Sequence, residues 1–286
     1  MSRVLRVCPS GYYASLKKGI NRRRERDEEL KNRIERLFKR SFRRYGSPRI
    51  HQDLKSENIR VGKKRVARLM QELNLVARAR KRFVRTTDSD HRYAVAPNKL
   101  NREFQVTQVA GLNRRWAGDM TYIPTAEGWL YLAVVLDLKS RKVIGWSMHD
   151  TMEQILVQTA LEMATTHRLT SQKLEKHKEE KGLNEDTLLF HSDRGGQYAG
   201  HLFRDQLEES HIECSMSRKG NCWDNAPLES FFATLKTELM QGKPFETRKQ
   251  ARLSLFQYIE TFYNPYRRHS ALGYLSPADF ETSLTD

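Results

Sequence analysis

The sequence predicts an α/β protein in which a mixed β-sheet is flanked by helices and preceded by a basic helical region. The order of the apolar patterns supports this fold class. Helical spacing dominates the first third of the chain, whereas from residue 114 strand-like runs come first and then alternate with helices. A sharp change in charge separates the same two parts. With 286 residues, the chain is long enough for one or two domains with a large core.

The basic residues are concentrated near the start of the chain. The formal net charge is +16, and residues 1–105 hold 30 of the 51 Lys and Arg residues but 11 of the 35 Asp and Glu residues. The remainder is slightly acidic. This asymmetry favours a polyanionic partner that is bound first by the N-terminal third, because phosphate neutralisation supplies salt-sensitive affinity. A solvated basic face is the alternative.

Three helices are predicted in the N-terminal region. The first lies within residues 11–45, and the apolar positions at helical spacing are Leu30, Ile34, Leu37, Phe38 and Phe42. Pro48 is suited to open a second helix at residues 48–57, since proline is favoured in a first helical turn. Val61 and Gly62 separate it from a third helix at residues 63–73.

The third predicted helix has a basic outer side. Its apolar stripe leaves four cations mostly outside, and these are Lys63, Lys64, Arg65 and Arg68. Three short helices ending in a basic one are typical of a helix-turn-helix module, in which the last helix lies in the major groove of DNA. The four cations are therefore candidate DNA contacts, although any small helical bundle with a charged surface has the same pattern. The predicted organisation is a helical region at residues 1–76, a basic linker at 77–110 and a sheet domain with a C-terminal helical extension at 111–286.

Strands and helices can be assigned in order along the sheet domain. Predicted strands lie at residues 119–123, 129–137, 142–147, 187–191 and 212–217. Predicted helices lie at residues 151–166, near 200–209 and from about 226. Ile155, Thr159 and Met163, with Leu156 and Ala160, are expected on the buried side of the first of these helices. The charged segment from Lys173 to Asp186 is expected to be a surface loop.

Three carboxylates stand out in this order. Asp119 lies on an early strand, Asp193 follows the end of a later one, and Glu229 lies on a late helix. Side chains from such elements can converge at the edge of one mixed sheet, where ligand sites occur at the carboxyl ends of strands. Oxygen ligands suit Mg²⁺, and a pair of ions can support in-line displacement at a phosphodiester. Lys236 follows Glu229 by two helical turns on the same face.

Each acid also has a structural explanation. A lone Asp or Glu is more often a surface charge or a cap than a metal ligand. Glu229 fits a first-turn helix acid, with Asp224 or Asn225 as its cap. Asp137 and Asp150 fit a turn residue and a helix cap. On the residues alone, the metal site is one interpretation among these.

The three cysteines, Cys8, Cys214 and Cys222, have no Cys-x-x-Cys spacing, so neither a disulfide framework nor a zinc site is expected. Residues 1–8 are too short and too charged for a signal peptide, and no run of eighteen apolar residues occurs. A cytoplasmic location without membrane contact is therefore expected.

Longer motifs point to one family. They are Tyr45-Gly46-Ser47-Pro48-Arg49-Ile50, Trp116-Ala117-Gly118-Asp119-Met120-Thr121-Tyr122, His191-Ser192-Asp193-Arg194-Gly195-Gly196, Asp224-Asn225-Ala226 with Glu229, and Tyr263-Asn264 with Arg267 and His269. With these motifs the chain resembles the catalytic, second-frame product of IS-three type bacterial insertion-sequence transposases, within the retroviral-integrase, or DDE, superfamily.

This resemblance implies a ribonuclease-H-like core in which Asp119, Asp193 and Glu229 bind Mg²⁺ or Mn²⁺, with two ions expected. It implies cleavage at terminal inverted repeats and attack of the resulting 3′-hydroxyl on target DNA. Lys236 matches a position that contacts DNA ends in the superfamily, and Arg194 and Asn225 in the same motifs are further candidate DNA contacts. A homo-oligomer on DNA ends, a fusion with or help from the upstream-frame product, and a location at the bacterial nucleoid are also expected.

Two other functions fit the sequence. One is a DNA-binding regulator of transposition that does not cut, and the other is a ribonuclease-H-like nuclease that cuts without joining. The basic N-terminal region by itself does not separate the first from a transposase, whereas the position of Lys236 favours joining over cutting alone.

Overall fold

The computed structural model describes residues 8, 10, 13, 22–77, 95–169, 187–219, 221–240 and 243–285. The chain divides into two compact units, residues 1–78 and 79–286. The whole charged segment from Lys173 to Asp186, predicted as a surface loop, lies outside the described residues, as do residues 78–94 of the predicted linker. No helix in the described ranges is long and apolar enough to cross a membrane.

The first unit contains the three predicted helices. They are α1 (Arg22–Arg40), α2 (Ser47–Ser56) and α3 (Lys63–Glu72). Gly46 caps α2 and Pro48 lies in its first turn, as the sequence predicts. The core between the helices is made of apolar side chains that are almost fully buried: Ile34, Leu37, Phe38, Tyr45, Ile50, Leu54, Val66, Leu69 and Met70. Burial of these side chains is what stabilises three otherwise short helices.

Phe42 does not belong to this core, contrary to its predicted place on the apolar stripe of the first helix. The helix α1 ends at Arg40, and Phe42 and Arg43 both adopt positive φ angles, 53° and 61°. The amide of Arg43 donates to the carbonyl of Phe38, a bond that closes the helix end with a left-handed turn. The turn directs the Phe42 side chain outward, where 56% of it is exposed.

The second unit is built on a five-stranded mixed sheet with the order β3-β2-β1-β4-β5. The strands are β1 (Arg115–Thr125), β2 (Gly128–Asp137), β3 (Val143–His149), β4 (Leu189–Ser192) and β5 (Glu213–Met216). The first three form an antiparallel meander, and β4 and β5 continue the sheet in parallel with β1. The predicted mixed sheet is confirmed.

Helices cover this sheet and extend beyond it. They are α4 (Gln154–Arg168), α5 (Gly196–Ala199), α6 (His201–Glu209), α7 (Ala226–Leu235), α8 (Arg248–Phe256) and α9 (Pro277–Thr282). Two of them continue as π-helical turns, α7 into Lys236–Met240 and α8 into Gln257–Tyr263. Single 3₁₀ turns lie at Cys222–Asn225 and Ser270–Leu272.

The helix α4 is rotated from its predicted orientation. Its buried side chains are Leu156, Val157, Ala160, Leu161 and Ala164, whereas Ile155 and Thr159 are exposed and Met163 is half-buried. The physical reason is a close approach to β3. A methyl group at Gly145 would overlap the carbonyl oxygen of Ala160 and crowd Ala164, so the small side chains of α4 must face the strand.

Of the two acids interpreted as turn and cap residues, only one has that role. Asp137 is fully buried at the β2–β3 turn, and its Oδ1 accepts from the backbone amide of Ser140. Asp150 does not cap α4, whose N-cap position is Glu153. It pairs instead with arginines of α8, including Arg252 at 2.7 Å, because the chain between β3 and α4 passes that helix.

The described part of the predicted linker packs on the second unit. Leu100 and Val109 are 1% and 2% exposed, and the amide of Lys99 donates to the Ser215 hydroxyl of β5. The Nζ of Lys139 donates to the carbonyl oxygen of Val109. Residues 95–110 are therefore held by buried apolar side chains and by hydrogen bonds to the sheet, so they are not a free tether.

Candidate active site at the ends of β1 and β4

The parallel pairing of β1 with β4 brings two of the predicted carboxylates to neighbouring positions. In the register of this pair Gly118 lies opposite Ser192. Asp119 directly follows Gly118 on β1, and Asp193 directly follows Ser192 at the end of β4. The two acids therefore come next in the chain after a pair of residues that lie side by side in the sheet. A side chain at position 118 would overlap the ring of Phe190, which crosses the strand at that point. Glycine before Asp119 therefore allows the two chains to pack closely where the acids lie.

Local backbone bonds orient both aspartates. The Oδ1 of Asp119 accepts from the amide of Met120 at 2.7 Å. The Oδ1 of Asp193 accepts from the amide of Gly195 at 2.9 Å, in a tight turn that leads into α5. A Cβ atom at Gly195 would lie 3.0 Å from that carboxylate oxygen, so the glycine leaves room for the bond. Both acids are half-buried and keep part of their surface accessible.

The third carboxylate, Glu229, lies in the first turn of α7 and is exposed. The helix packs against β1, the strand of Asp119. Of the two predicted cap residues, Asn225 holds the cap position and Asp224 does not. Asn225 occupies the N-cap position without a side-chain capping bond, and the Asp224 carboxylate is engaged by arginines instead.

The three acids influence one another electrostatically. Burial raises the pKa of Asp119 well above its usual range, and the negative charges of Asp193 and Glu229 raise it further. The charge of Lys236 opposes this rise. Although far apart in sequence, Asp193, Glu229 and Lys236 thus all act electrostatically on Asp119.

Tyr198 is a member of this site that the sequence analysis missed. It lies on α5, is 2% exposed, and packs against Phe190 with ring centroids 6.2 Å apart. Burial raises the pKa of its hydroxyl, and the charges of Asp119 and Asp193 raise it further. The buried tyrosine is thus coupled electrostatically to both aspartates. The sequence signal for it was its place at the end of the motif that runs from His191 through Asp193 to Tyr198.

Lys236 begins the π-helical turn that continues α7. Its Nζ lies 4.6 Å from the centroid of the Tyr122 ring, on the same strand as Asp119. Burial lowers the pKa of the lysine to about 8, while the charge of Asp119 opposes that change. The lysine is therefore held against β1 and differs from a freely solvated helix residue.

The three acids are not gathered into a tight cluster. Among the residues that the structure describes, no three His, Cys, Asp or Glu side chains are close enough together to hold a metal ion. The donor chemistry nevertheless suits Mg²⁺ or Mn²⁺, because the three candidate ligands are all carboxylates. Burial and the neighbouring acids both disfavour the charged form of Asp119, and a bound cation would favour it.

Two further residues predicted to contact DNA lie beside the acids. The Nε of Arg194, the residue after Asp193, donates to the carbonyl oxygen of Ser217 at 2.6 Å. Asn225 is 5% exposed, and in the described structure neither its amide nitrogen nor its amide oxygen has a hydrogen-bond partner. The structure thus places Arg194 against the end of β5 and Asn225 at the start of α7.

Asp224 is the centre of a polar cluster that the sequence analysis did not predict. Its oxygens accept from Arg218 at 2.9 and 3.0 Å, from Arg102 at 2.7 Å and from Asn98 at 3.0 Å. Burial opposes ionisation, yet the hydrogen bonds from both arginines hold the pKa of this carboxyl well below its usual range. The cluster fastens the 3₁₀ turn before α7, and with it the entry to the helix of Glu229.

The four basic residues of α3 fall into two pairs. Lys63 and Lys64 are exposed. Arg65 and Arg68 instead form ion pairs with Asp27 of α1 at 2.5 and 2.8 Å. The structure therefore gives the arginines a role within the helical unit and leaves the two lysines at its surface.

Comparisons with known families match both units. Residues 110–222 match the family described as "Integrase core domain", residues 210–277 match a second family with that description, and residues 25–83 match "HTH-like domain". Among solved structures, the HTLV-2 integrase catalytic core domain in complex with magnesium aligns with 59% of this chain and 96% of its own, at 15% identity and a TM-score of 0.41. A likeness of that level adds nothing to the assignment.

The sequence relatives are much more similar. The "Insertion element IS600 uncharacterized 31 kDa protein" of Shigella sonnei is 41% identical over 98% of this chain and 97% of its own length. The "Transposase InsF for insertion sequence IS3A" of Escherichia coli (strain K12) is 40% identical over 98% of this chain and 92% of its own. The alignments extend over both units described above. On this similarity, the chain belongs to the IS3-type insertion-sequence transposases, enzymes of the DDE transposase and integrase class.

Proposed function

We propose that Asp119, Asp193 and Glu229 form the catalytic site with which this transposase cleaves DNA at the ends of its element and joins the 3′-hydroxyl to target DNA. The observation that carries the proposal is the register of β1 and β4. It pairs Gly118 with Ser192, the residues directly before Asp119 and Asp193. The charge of Glu229 acts on Asp119 as well.

The three carboxylates are proposed to hold Mg²⁺ or Mn²⁺, with two ions as the expected number. A bound divalent ion would activate the attacking oxygen and stabilise the leaving one. The side chains must draw closer together to bind it, since the acids do not form a closed cluster among the described residues.

The surrounding residues have separate tasks in this proposal. The bonds from Met120 and Gly195 each fix the orientation of one carboxylate oxygen, on Asp119 and Asp193 respectively. Lys236 supplies positive charge near Asp119, where a DNA phosphate would otherwise be repelled by the acids. Tyr198 is buried against Phe190, the residue that packs on Gly118 just before Asp119, and so supports the strand that carries this acid.

The helical unit is proposed to bind terminal inverted repeats, with Lys63 and Lys64 in contact with the phosphates. The family model that covers residues 25–83 and the exposure of both lysines support this assignment. Assembly as a homo-oligomer on DNA ends, help from an upstream-frame product and a location at the nucleoid stay predictions from the resemblance.

The test is strand transfer on an oligonucleotide that carries the terminal repeat, with Mg²⁺ or Mn²⁺. We expect Glu229→Gln and Asp193→Asn to lose cleavage and joining by at least about a hundredfold while DNA binding persists. Glu208→Gln, which changes an exposed acid on α6, is the matched control and should keep full activity. Full activity of Glu229→Gln would remove the glutamate from the site, and cut products without joined ones would indicate a nuclease.

Metal binding is tested separately from activity. Mg²⁺ or Mn²⁺ should raise the melting temperature of the wild-type protein, because a ligand that binds the folded state stabilises it. The shift should shrink in Asp119→Asn and in Asp193→Asn but not in Glu208→Gln. Equal shifts in all four proteins would place the ion elsewhere.

A further inference from the structure

The turn before α7 exposes a large aromatic ring. Trp223 lies in the 3₁₀ turn Cys222–Asn225 and is 67% exposed, more than any other aromatic side chain that the structure describes. The two residues that follow it, Asp224 and Asn225, are 1% and 5% exposed. The turn thus buries its polar side chains and presents its apolar one to solvent. An exposed indole offers a large, flat apolar face that a ligand can contact.

The turn that carries the ring is firmly held. Asp224 is fastened to Arg218 by two side-chain bonds and a backbone bond, and to Arg102 and Asn98 by one bond each. These partners come from two separate stretches of the chain. The position of Trp223 is therefore largely set before any ligand arrives, which lowers the entropic cost of using the ring as a contact.

Two arginines contact Asp224, the residue that directly follows the ring. Arg102 and Arg218 share the single carboxylate of Asp224, so their combined charge exceeds that of the acid between them. Their side chains keep 42% and 48% of their surface exposed, and Lys219 beside them is exposed too. An exposed aromatic ring with cations next to it is the combination that binds single-stranded nucleic acid, in which bases stack and the backbone is neutralised.

We propose that Trp223 stacks on an unpaired base of the DNA strand at the active site, and that Arg102 and Arg218 contact the phosphates of the same strand. The base must be unpaired because both faces of a base inside a duplex are covered by its neighbours. Five residues separate Trp223 from Glu229, so a nucleotide held on the indole lies next to the helix of the third carboxylate. The proposal rests on the proposed function, since it places the DNA strand at those carboxylates.

The experiment uses the full chain with the Glu229→Gln change, which retains DNA without cutting it. In one set of terminal-repeat duplexes, 2-aminopurine replaces one base at a time in a short single-stranded end. In the control set, the same positions are fully paired. Stacking on an indole quenches this base. We expect quenching at one or two unpaired positions with Glu229→Gln, and its loss when Trp223→Ala is added. Trp223→Phe should keep part of it.

The affinity for the unpaired end should fall about tenfold in the Trp223→Ala protein, because the variant loses the stacking contact with the base. Affinity for the fully paired duplex should change less. Leu253→Ala removes another exposed apolar side chain, 58% exposed on α8, and should alter neither measurement. Circular dichroism melting shows whether each variant is folded. We expect both variants to fold, because both substituted side chains are exposed.

Unchanged quenching in the Trp223→Ala protein would overturn the proposal. A second result would also overturn it: the Trp223→Ala protein self-associates less on light scattering but still quenches the base. The ring would then be a contact between copies of the chain. Since no step of this assay requires cutting, a negative result leaves the catalytic assignment standing. Conversely, full activity of Glu229→Gln in the strand-transfer assay would contradict the catalytic assignment only. Quenching that depends on Trp223 would still show that the ring contacts the DNA.

Discussion

The ammonium of Lys236 lies 4.6 Å from the centre of the Tyr122 ring, over the strand that bears Asp119. Burial lowers the pKa of this lysine to about 8. The lysine is charged below that pH and neutral above it. If its charge attracts the DNA end, affinity for a terminal-repeat duplex should fall as the pH rises from 7 to 9 at constant ionic strength.

Lys236→Arg separates this effect from general changes in DNA binding, because a guanidinium stays charged over the whole range. Its binding curve should be nearly flat where the wild-type curve falls. Tyr122→Leu removes the ring that favours the charged form, so its curve should fall at lower pH than that of the wild type. Superimposable curves for wild type and Lys236→Arg, measured by fluorescence anisotropy, would contradict the role of the lysine.

Much of the fold follows from sequence patterns because those patterns are local. Strand-like runs ahead of alternating helices and strands predicted the mixed sheet, and the position of Asp193 just after β4 predicted its place at a strand end. The orientation of α4 was not predictable from its own apolar residues. It depends on the gap that Gly145 leaves on another element, which the helical spacing of α4 does not encode.

The site shows the same division. The family motifs identified the three acids and Lys236, but the partners of Asp224 are 122 and 126 residues away in Arg102 and Asn98. A single sequence contains no signal for such long-range pairs. Arg65 and Arg68 are a similar case. Helix periodicity predicts that their side chains face outward, but it does not predict their ion pairs with Asp27 of α1.

A buried ion pair supports the turn that follows Lys236. The side chains of Glu238 and Arg267 are 7% and 6% exposed, and the carboxylate also accepts from the hydroxyl of Tyr258 at 2.8 Å. Arg267→Met leaves the buried carboxylate without its cation, so we expect a loss of about 3–5 kcal/mol in the free energy of unfolding. Denaturant unfolding followed by circular dichroism measures it.

The surface pair between Arg252 and Asp150 provides the control for that measurement. Its side chains are 41% and 47% exposed, so Arg252→Met should cost at most about 1 kcal/mol. Equal losses in the two variants would mean that the Glu238–Arg267 pair contributes no more than an exposed one.

Gly145 makes a second prediction about stability. An alanine there must push α4 away from β3, because its methyl group would overlap backbone atoms of the helix. Overpacking of this kind costs roughly 1–3 kcal/mol, and a rigid backbone neighbour favours the upper end. Gly111→Ala is the matched change, since its nearest neighbour would be Arg114 Cγ at an ordinary 3.7 Å. A melting temperature for Gly145→Ala equal to that of Gly111→Ala would show that the helix shifts at little cost.

The two pairs of cations on α3 should respond differently to mutation. Lys63→Ala with Lys64→Ala removes two exposed charges, so affinity for terminal-repeat DNA should fall, and the slope of log affinity against log salt should become shallower by about two. Arg65→Ala with Arg68→Ala should instead destabilise the helical unit, because Asp27 loses both of its cations. Salt titrations of DNA binding and thermal melts of the full chain separate these outcomes. An equal change in salt slope for both double variants, without any change in melting, would assign the arginines to DNA as well.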